Sequence, residues 1–187
     1  PVYCLDEVSD HAMALLLSLA RKVTFGANLV DGGRWEMPAV VPIHRLRGRT
    51  LGLVGLGNIP QALVPKAQAF GIHIIAADPY CPDAVFDRMG VEKVELPVLF
   101  KRADFISLHA PLTDATRDII NARAIKKMKK GVRIINCARG GLIVEEDLKK
   151  ALEKGDVAGT GLDVFAQEPA LDNPLFGMDD VIATPHL

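Results

Sequence analysis

Residues 49–70 read RTLGLVGLGNIPQALVPKAQAF, and this stretch predicts the fold. The apolar run before Gly55 is typical of a buried strand, and the residues after Pro60 have the spacing of a helix. Between them, GLGNIP at 55–60 nearly spells the dinucleotide-binding pattern G-x-G-x-x-G, with Pro60 at the place of the third glycine. A strand, a glycine-rich turn and a helix in this order predict the first unit of a nucleotide-binding sheet.

The same alternation of apolar runs and helical patterns continues through the chain. Strands are expected at TLGLVG, HIIAAD, ADFISLH, VRIINCA, AGTGLDV and DVIATP, which begin at residues 50, 73, 103, 132, 158 and 180. This alternation predicts an α/β fold, a Rossmann-type doubly wound parallel sheet. We expect a single domain over 1–187, with a leading helix in 1–24, a Gly- and Pro-rich loop in 25–48 and the Rossmann core in 49–187.

Composition excludes some classes of partner. Lys and Arg number 22 against 23 Asp and Glu, and this near-zero net charge argues against nucleic acid as the main partner. The longest apolar runs are too short to span a membrane. The three cysteines, Cys4, Cys81 and Cys137, form no C-x-x-C pair, which favours a reducing, cytoplasmic location. The start at Pro1 leads us to expect a piece of a longer protein.

One dense basic run, KKMKK at 126–130, precedes an expected strand. A solvated helix end is the usual explanation of such a run. Binding of a phosphate or a nucleic acid is the alternative.

The glycine-rich loop has a specific chemistry. Gly55 permits the tight turn after the strand, and Gly57 lets the backbone approach a pyrophosphate at the helix N-terminus. We expect Pro60 in the first helical turn, where it loses no hydrogen bond, so that the helix is displaced but the site survives. Asp78 stands 21 residues after Gly57 and would accept the adenosine ribose hydroxyls, which favours NAD over NADP. The alternative role for Asp78 is a turn cap before Pro79.

Candidate catalytic residues follow the later strands. Arg139 could clamp a substrate carboxylate, although a surface salt bridge is the alternative. His186 is a natural proton donor to a carbonyl that receives hydride, unless it is a structural histidine. A carboxylate beside it, such as Glu168, would hold one tautomer and favour the charged form. Cys137 is expected to pack as a small residue and not to act as a nucleophile. No metal is predicted, because the remaining histidines show no ligand spacing: His11, His44, His73 and His109.

The chain resembles the D-isomer-specific 2-hydroxyacid dehydrogenases over nearly its whole length. Seven stretches carry this resemblance: EVSDHAMALLLSLAR, GLGNIP, AADPY, SLHAPLTDATRDIIN, NCARGGLIVEEDL, GLDVFAQEP and TPHL. NCARGG and TPHL are most similar to the D-3-phosphoglycerate dehydrogenase branch. The chain departs from the family at Pro60 and at Asn58, where an arginine is common, and both changes bear on NAD affinity.

The resemblance implies roles for individual residues. The cofactor NAD would be contacted by Gly55, Gly57, Asn58, Ile59, Asp78, Ala110, Cys137, Ala138, Arg139, Asp163 and His186. The backbone of Asn58 and Ile59 would meet the pyrophosphate, and Asp163 the nicotinamide carboxamide. Arg139 would bind the substrate, and His186, paired with Glu168, would be the acid/base.

The resemblance also implies partners. These are a small 2-hydroxy or 2-oxo acid and a second copy in a homodimer, which the leading helix and the DGGRWEM loop would serve. In such enzymes a substrate domain flanks the NAD-binding domain, so we expect this chain alone to be inactive. The alternative function is a non-catalytic, NAD-responsive corepressor.

Overall fold

The computed structural model describes residues 3–187 and contains one parallel sheet. Its strands are β1 (Thr50–Val54), β2 (His73–Ala77), β3 (Glu92–Lys93), β4 (Phe105–Leu108), β5 (Val132–Asn136), β6 (Val157–Leu162) and β7 (Val181–Ala183). Their spatial order is β3-β2-β1-β4-β5-β6-β7. The predicted doubly wound fold is confirmed, with six strands where the sequence places them. Strand β3 was missed because its two residues are charged and exposed.

Helices cover both faces of the sheet. They are α1 (Leu5–Arg21), α2 (Val23–Asp31), α3 (Met37–Val40), α4 (Asn58–Ala69), α5 (Asp83–Met89), α6 (Leu96–Arg102), α7 (Ala122–Ile125) and α8 (Glu145–Glu153). One apolar core lies between the sheet and α1, α4 and α5, and the other between the sheet and α6, α7 and α8. The strands are therefore buried on both sides, which explains their continuous apolar runs.

Helix α1 packs on the domain itself. It ends where Lys22 takes a left-handed φ of 52°, within the segment 1–24 in which the sequence predicts a leading helix. Lys66 of α4 holds it by an ion pair to Asp10 at 2.6 Å and a hydrogen bond to the buried Ser9 at 2.7 Å. Residues 1 and 2 of the expected leading segment lie outside the described residues.

The prediction of a loop over residues 25–48 is wrong in part, because α2 and α3 occupy much of it. Helix α2 buries only Leu29, and Gly26 inside it argues against a helix in the sequence. No single helix described here is long and apolar enough to span a membrane; only α1 and α2 taken together, bent by 63° at their junction, pass on length and composition.

The order of the strands locates the expected ligand crevice. Strand β1 lies between β2 and β4, so the chain winds outward in both directions from the gap between β1 and β4. In doubly wound sheets, ligands bind at the carboxyl ends of the strands beside this switch point. The segments that follow β1, β2, β4, β5, β6 and β7 all begin at that edge.

Candidate active site

The loop between β1 and α4 is shaped for a close backbone approach. Gly55 has a φ of 97°, and a Cβ there would lie 3.1 Å from the carbonyl of His109. A Cβ on Gly57 would meet no atom within 4 Å, so Gly57 faces open space just before the first residue of α4. The N–H groups of Asn58 and Ile59, in the first turn, have no acceptor within the helix. This is a ready site for an anion.

Pro60 lies where the sequence predicted it, as the third residue of α4. Its ring is buried, and the helix begins at Asn58 and continues to Ala69. Because an N–H at this position would have no partner in the helix, proline fits without the loss of a hydrogen bond.

Asp78 closes the other side of this loop. Its Oδ2 accepts from the N–H of Leu56 at 2.8 Å, which ties the glycine-rich turn to the end of β2. Its Oδ1 accepts from the N–H groups of Tyr80 and Cys81 at 2.9 and 3.1 Å, so Asp78 also caps the following turn. The two roles weighed for Asp78 are therefore compatible, since Oδ2 retains capacity for a ribose hydroxyl.

The loop after β4 forms the wall opposite Gly55. Ala110 is buried, and its N atom would lie 3.3 Å from a Cβ at Gly55. The neighbouring His109 bonds through Nε2 to Ser107 Oγ at 2.9 Å. Burial lowers the pKa of His109 to about 4, so this ring is neutral near pH 7.

A buried asparagine shapes the loop that carries Arg139. Asn136, the last residue of β5, donates from Nδ2 to the carbonyl of Arg139 at 2.8 Å, and its Oδ1 accepts from the N–H of Ala138 at 3.0 Å. Arg139 itself is exposed and donates to the carbonyl of Ala138. Burial, with the nearby Asp163 charge, raises the pKa of Cys137 to about 12. Cys137 is therefore a neutral thiol.

The Arg139 loop is locked onto the loop that follows β6. A Cβ on Gly140 would lie 1.9 Å from both the carbonyl carbon and oxygen of Phe165, and 2.5 Å from the N atom of Ala166. Two backbones thus touch at a point where only glycine fits. The Ala166 N–H also donates to Oε1 of Glu145 at 2.8 Å, at the start of α8.

Glu168 and His186 form the pair that the sequence anticipated. Glu168 Oε2 lies 2.7 Å from His186 Nδ1, and Glu168 Oε1 accepts from the N–H of Phe165 at 2.9 Å. The hydrogen bond from His186, then that from Phe165, lowers the pKa of Glu168. An ionised carboxylate only accepts, so Nδ1 carries the proton and Nε2 is left for a substrate. The charge of Arg139 lowers the same pKa as the smallest of these causes.

Asp163 holds the segment that carries His186. It is 3% exposed, and its Oδ1 accepts from Thr184 Oγ1 and from the N–H of Leu187, the latter at 3.0 Å. His11 of α1 bonds to Thr184 Oγ1 at 2.9 Å. His186 lies between Thr184 and Leu187 in the chain and adopts a left-handed φ of 60°, which is uncommon for a residue other than glycine. The network therefore fixes an unusual backbone conformation at the candidate acid/base.

All the predicted site residues lie at the carboxyl edge of the sheet, but in two groups. The first surrounds the glycine-rich loop (Gly55, Gly57, Asn58, Ile59, Asp78 and Ala110), and the second lies on the segments that follow β5, β6 and β7 (Cys137, Ala138, Arg139, Asp163, Glu168 and His186). Sequence reasoning missed the supports His11, Asn136 and Glu145. Only Asn136 gave a signal, as a polar residue at the end of an apolar strand.

The residues present fit a dinucleotide. The open space at Gly57, the free N–H groups of α4 and the carboxylate of Asp78 match the pyrophosphate and ribose of NAD. In the part of the chain that the structure describes, no group of three or more His, Cys, Asp or Glu side chains is placed to hold a metal ion.

Comparisons with known proteins agree with this geometry. Residues 13–187 match the family model of the D-isomer specific 2-hydroxyacid dehydrogenase, NAD binding domain. The chain is 48% identical to D-3-phosphoglycerate dehydrogenase of Methanocaldococcus jannaschii, over 96% of this chain and 34% of that protein. It is 47% identical to hydroxypyruvate reductase of Thermotoga maritima, over 96% and 58%.

Solved structures show the same similarity. The glyoxylate reductase of Paecilomyes thermophila superposes with a TM-score of 0.91 at 34% identity, over 100% of this chain and 56% of that one. The chain thus spans between a third and three fifths of the proteins it matches.

Proposed function

Since the chain belongs to the D-isomer-specific 2-hydroxyacid dehydrogenase family and matches its NAD-binding domain, we propose that the whole protein moves a hydride between NAD(H) and a D-2-hydroxy acid/2-oxo acid pair. The observation that carries this proposal is the 2.7 Å pair of Glu168 and His186, at the same sheet edge as Arg139 and the nucleotide loop. A proton donor, a carboxylate clamp and a dinucleotide loop are the three parts that this reaction requires.

Each side chain then has one task. Bound NADH would supply the hydride to the carbonyl carbon of the substrate. Arg139 binds the substrate carboxylate through two parallel hydrogen bonds and so orients the carbonyl. His186 donates its Nε2 proton to the carbonyl oxygen, and Glu168 stabilises the imidazolium and holds the ring. In oxidation the neutral ring takes the proton back.

The Glu168–His186 pair contributes more to the orientation of the imidazole ring than to the stability of the fold. The side chains of His186 and Glu168 are 53% and 36% exposed, and exposed ion pairs contribute roughly 0.2–1 kcal/mol. Its value is therefore to fix which imidazole nitrogen faces the substrate.

The names of the relatives indicate a range of substrates. They are described as acting on D-3-phosphoglycerate, hydroxypyruvate and glyoxylate, all small 2-hydroxy or 2-oxo acids. They favour a catalytic protein over the corepressor alternative.

We also propose a homodimer and a cytoplasmic location. The exposed apolar side chains of Trp35 (89% exposed) and Met37 would support dimer contacts, and three unpaired cysteines suit a reducing compartment.

The test is NADH oxidation by the full-length protein with hydroxypyruvate, glyoxylate and pyruvate, and NAD reduction with D-3-phosphoglycerate. We expect turnover with at least one of these, and His186→Gln should reduce kcat by about 100-fold or more. The matched control is His73→Gln, since His73 is an exposed histidine at the start of β2, at the opposite edge of the sheet. Absence of turnover with every substrate, or equal rates for the two variants, would contradict the proposal.

A further inference from the structure

A second cleft lies at the edge of the sheet opposite the candidate active site. We call it the amino-edge cleft; its volume is about 380 Å³, and it is walled by the first residues of three strands, Phe105, Val132 and Val157. The five residues of β1 separate this edge from the nucleotide loop by roughly 16 Å. The two sites are therefore distinct.

Positive charge is concentrated in the amino-edge cleft. Its lining includes six Lys or Arg side chains and two carboxylates, Asp104 and Asp180, which leaves a surplus of four positive charges: Lys22, Arg45, Arg49, Lys129, Lys130 and Arg133. The whole chain has a net charge of -1, so the cleft stands out against a slightly acidic protein. Lys129 and Lys130 belong to the basic run KKMKK, for which the proposed dehydrogenase activity has no use.

One carboxylate in the cleft is already fully engaged. Asp104 accepts from the N–H of Thr50 at 2.8 Å and pairs with Lys129 at 3.0 Å, while Arg49 stands 3.7 Å away. These contacts neutralise part of the positive charge and fix the shape of this wall.

Arg133 is a partly buried cation of the cleft. Its guanidinium lies 5.8 Å from the centre of the Phe105 ring, and it forms no ion pair with any carboxylate of the described residues. Burial lowers the pKa of Arg133; the charge of Asp180 opposes this shift, and the like charge of Arg49 adds to it. A partly buried cation without an ion pair is costly, and an anionic ligand would lower that cost.

We propose that the amino-edge cleft binds a small polyanion that carries two or more phosphate groups. A surplus of four charges matches several phosphate charges, and the exposed Arg45 and Lys130 can close on the ligand from the rim. A cleft of this volume in a protein without net positive charge does not suit a nucleic acid, which needs an extended basic surface.

The test is calorimetric titration of the protein with inorganic tripolyphosphate, first without NADH and then with NADH saturating the nucleotide loop. We expect binding that NADH does not displace and that weakens as NaCl is added. The double variant Arg45→Gln/Lys130→Gln should weaken it by about tenfold. The matched control is Lys126→Gln/Lys127→Gln, which removes the same charge from KKMKK outside the cleft and should bind normally.

Three outcomes would overturn the proposal. They are loss of tripolyphosphate binding when NADH is present, equal effects of the two double variants, and tighter binding of a DNA duplex than of tripolyphosphate at equal phosphate concentration. Melting temperatures of both double variants serve to exclude unfolding. The result does not depend on dehydrogenase activity, because no turnover is measured.

Discussion

Replacement of Gly140 by alanine should damage catalysis while NAD binding survives. The new Cβ would lie 1.9 Å from the backbone of Phe165, whereas ordinary contact begins at 3.4 Å, so the two loops must separate by about 1.5 Å. This moves Arg139 away from the Glu168–His186 pair. A misplacement of about 1 Å costs on the order of 100-fold in rate, and we expect a loss of that size in kcat/KM.

The assay is 2-oxo acid reduction by the full-length protein, with the NADH dissociation constant measured beside it. The dissociation constant should rise far less than kcat/KM falls, because the glycine-rich loop and Asp78 would hold the pyrophosphate and the ribose, and only the proposed nicotinamide contacts lie next to Gly140. Unfolding should become easier by roughly 1–3 kcal/mol, as in other overpacked sites. The control is Gly141→Ala, whose Cβ would meet the side chain of Leu112 at 3.0 Å, which can rotate away, and that of Arg117 at an ordinary contact distance of 3.7 Å. Equal kcat/KM for the two variants would refute the reasoning.

Three further outcomes are expected. Glu168→Gln removes the carboxylate that lies 2.7 Å from His186 Nδ1 and holds the ring, so kcat should fall on the order of tenfold or more in both directions; an unchanged kcat, with hydride transfer shown to be rate-limiting by deuterated NADH, would show that the pairing has no role. His109 has a pKa of about 4 in the folded chain against 6.5 in the unfolded one, so its contribution to stability is complete above pH 6.5 and is lost as pH falls from 6.5 to 4. For a fully buried group the difference between the two pKa values corresponds to about 3 kcal/mol; His109 is partly exposed, so we expect a loss of about 2 kcal/mol. Urea unfolding of His109→Gln should show a correspondingly shallower pH dependence. The 187 residues alone should reduce 2-oxo acids far more slowly than the whole protein, since positioning and water exclusion need both walls of a cleft; comparable kcat values would contradict this.

Local sequence patterns predicted most of the fold. The glycine-rich turn, the apolar runs and Asp78 at the end of β2 were sufficient to place six strands and the nucleotide crevice. Strand β3 was missed because two exposed, charged residues leave no periodic pattern to detect. Helix α2 was missed because the glycines at 26, 32 and 33 make its segment resemble a loop.

The site was predictable in its reacting groups but not in its supports. Arg139, Glu168 and His186 are polar residues after strands, which sequence alone can single out. The contact between His11 and Thr184 joins residues 173 positions apart, and no local pattern reports it. The touching backbones at Gly140 are equally invisible, because the closeness of two loops depends on the packing of the whole sheet.

The most direct test of the account is calorimetric titration of the 187-residue chain with NADH and NADPH. We predict one NADH site, weaker binding of NADPH because Asp78 repels its 2′-phosphate, and a reduced difference between the two in Asp78→Ala. Undetectable binding at millimolar NADH by the folded chain, or an Asp78→Ala variant that binds both cofactors as the unaltered chain does, would contradict the assignment of this loop as the NAD site.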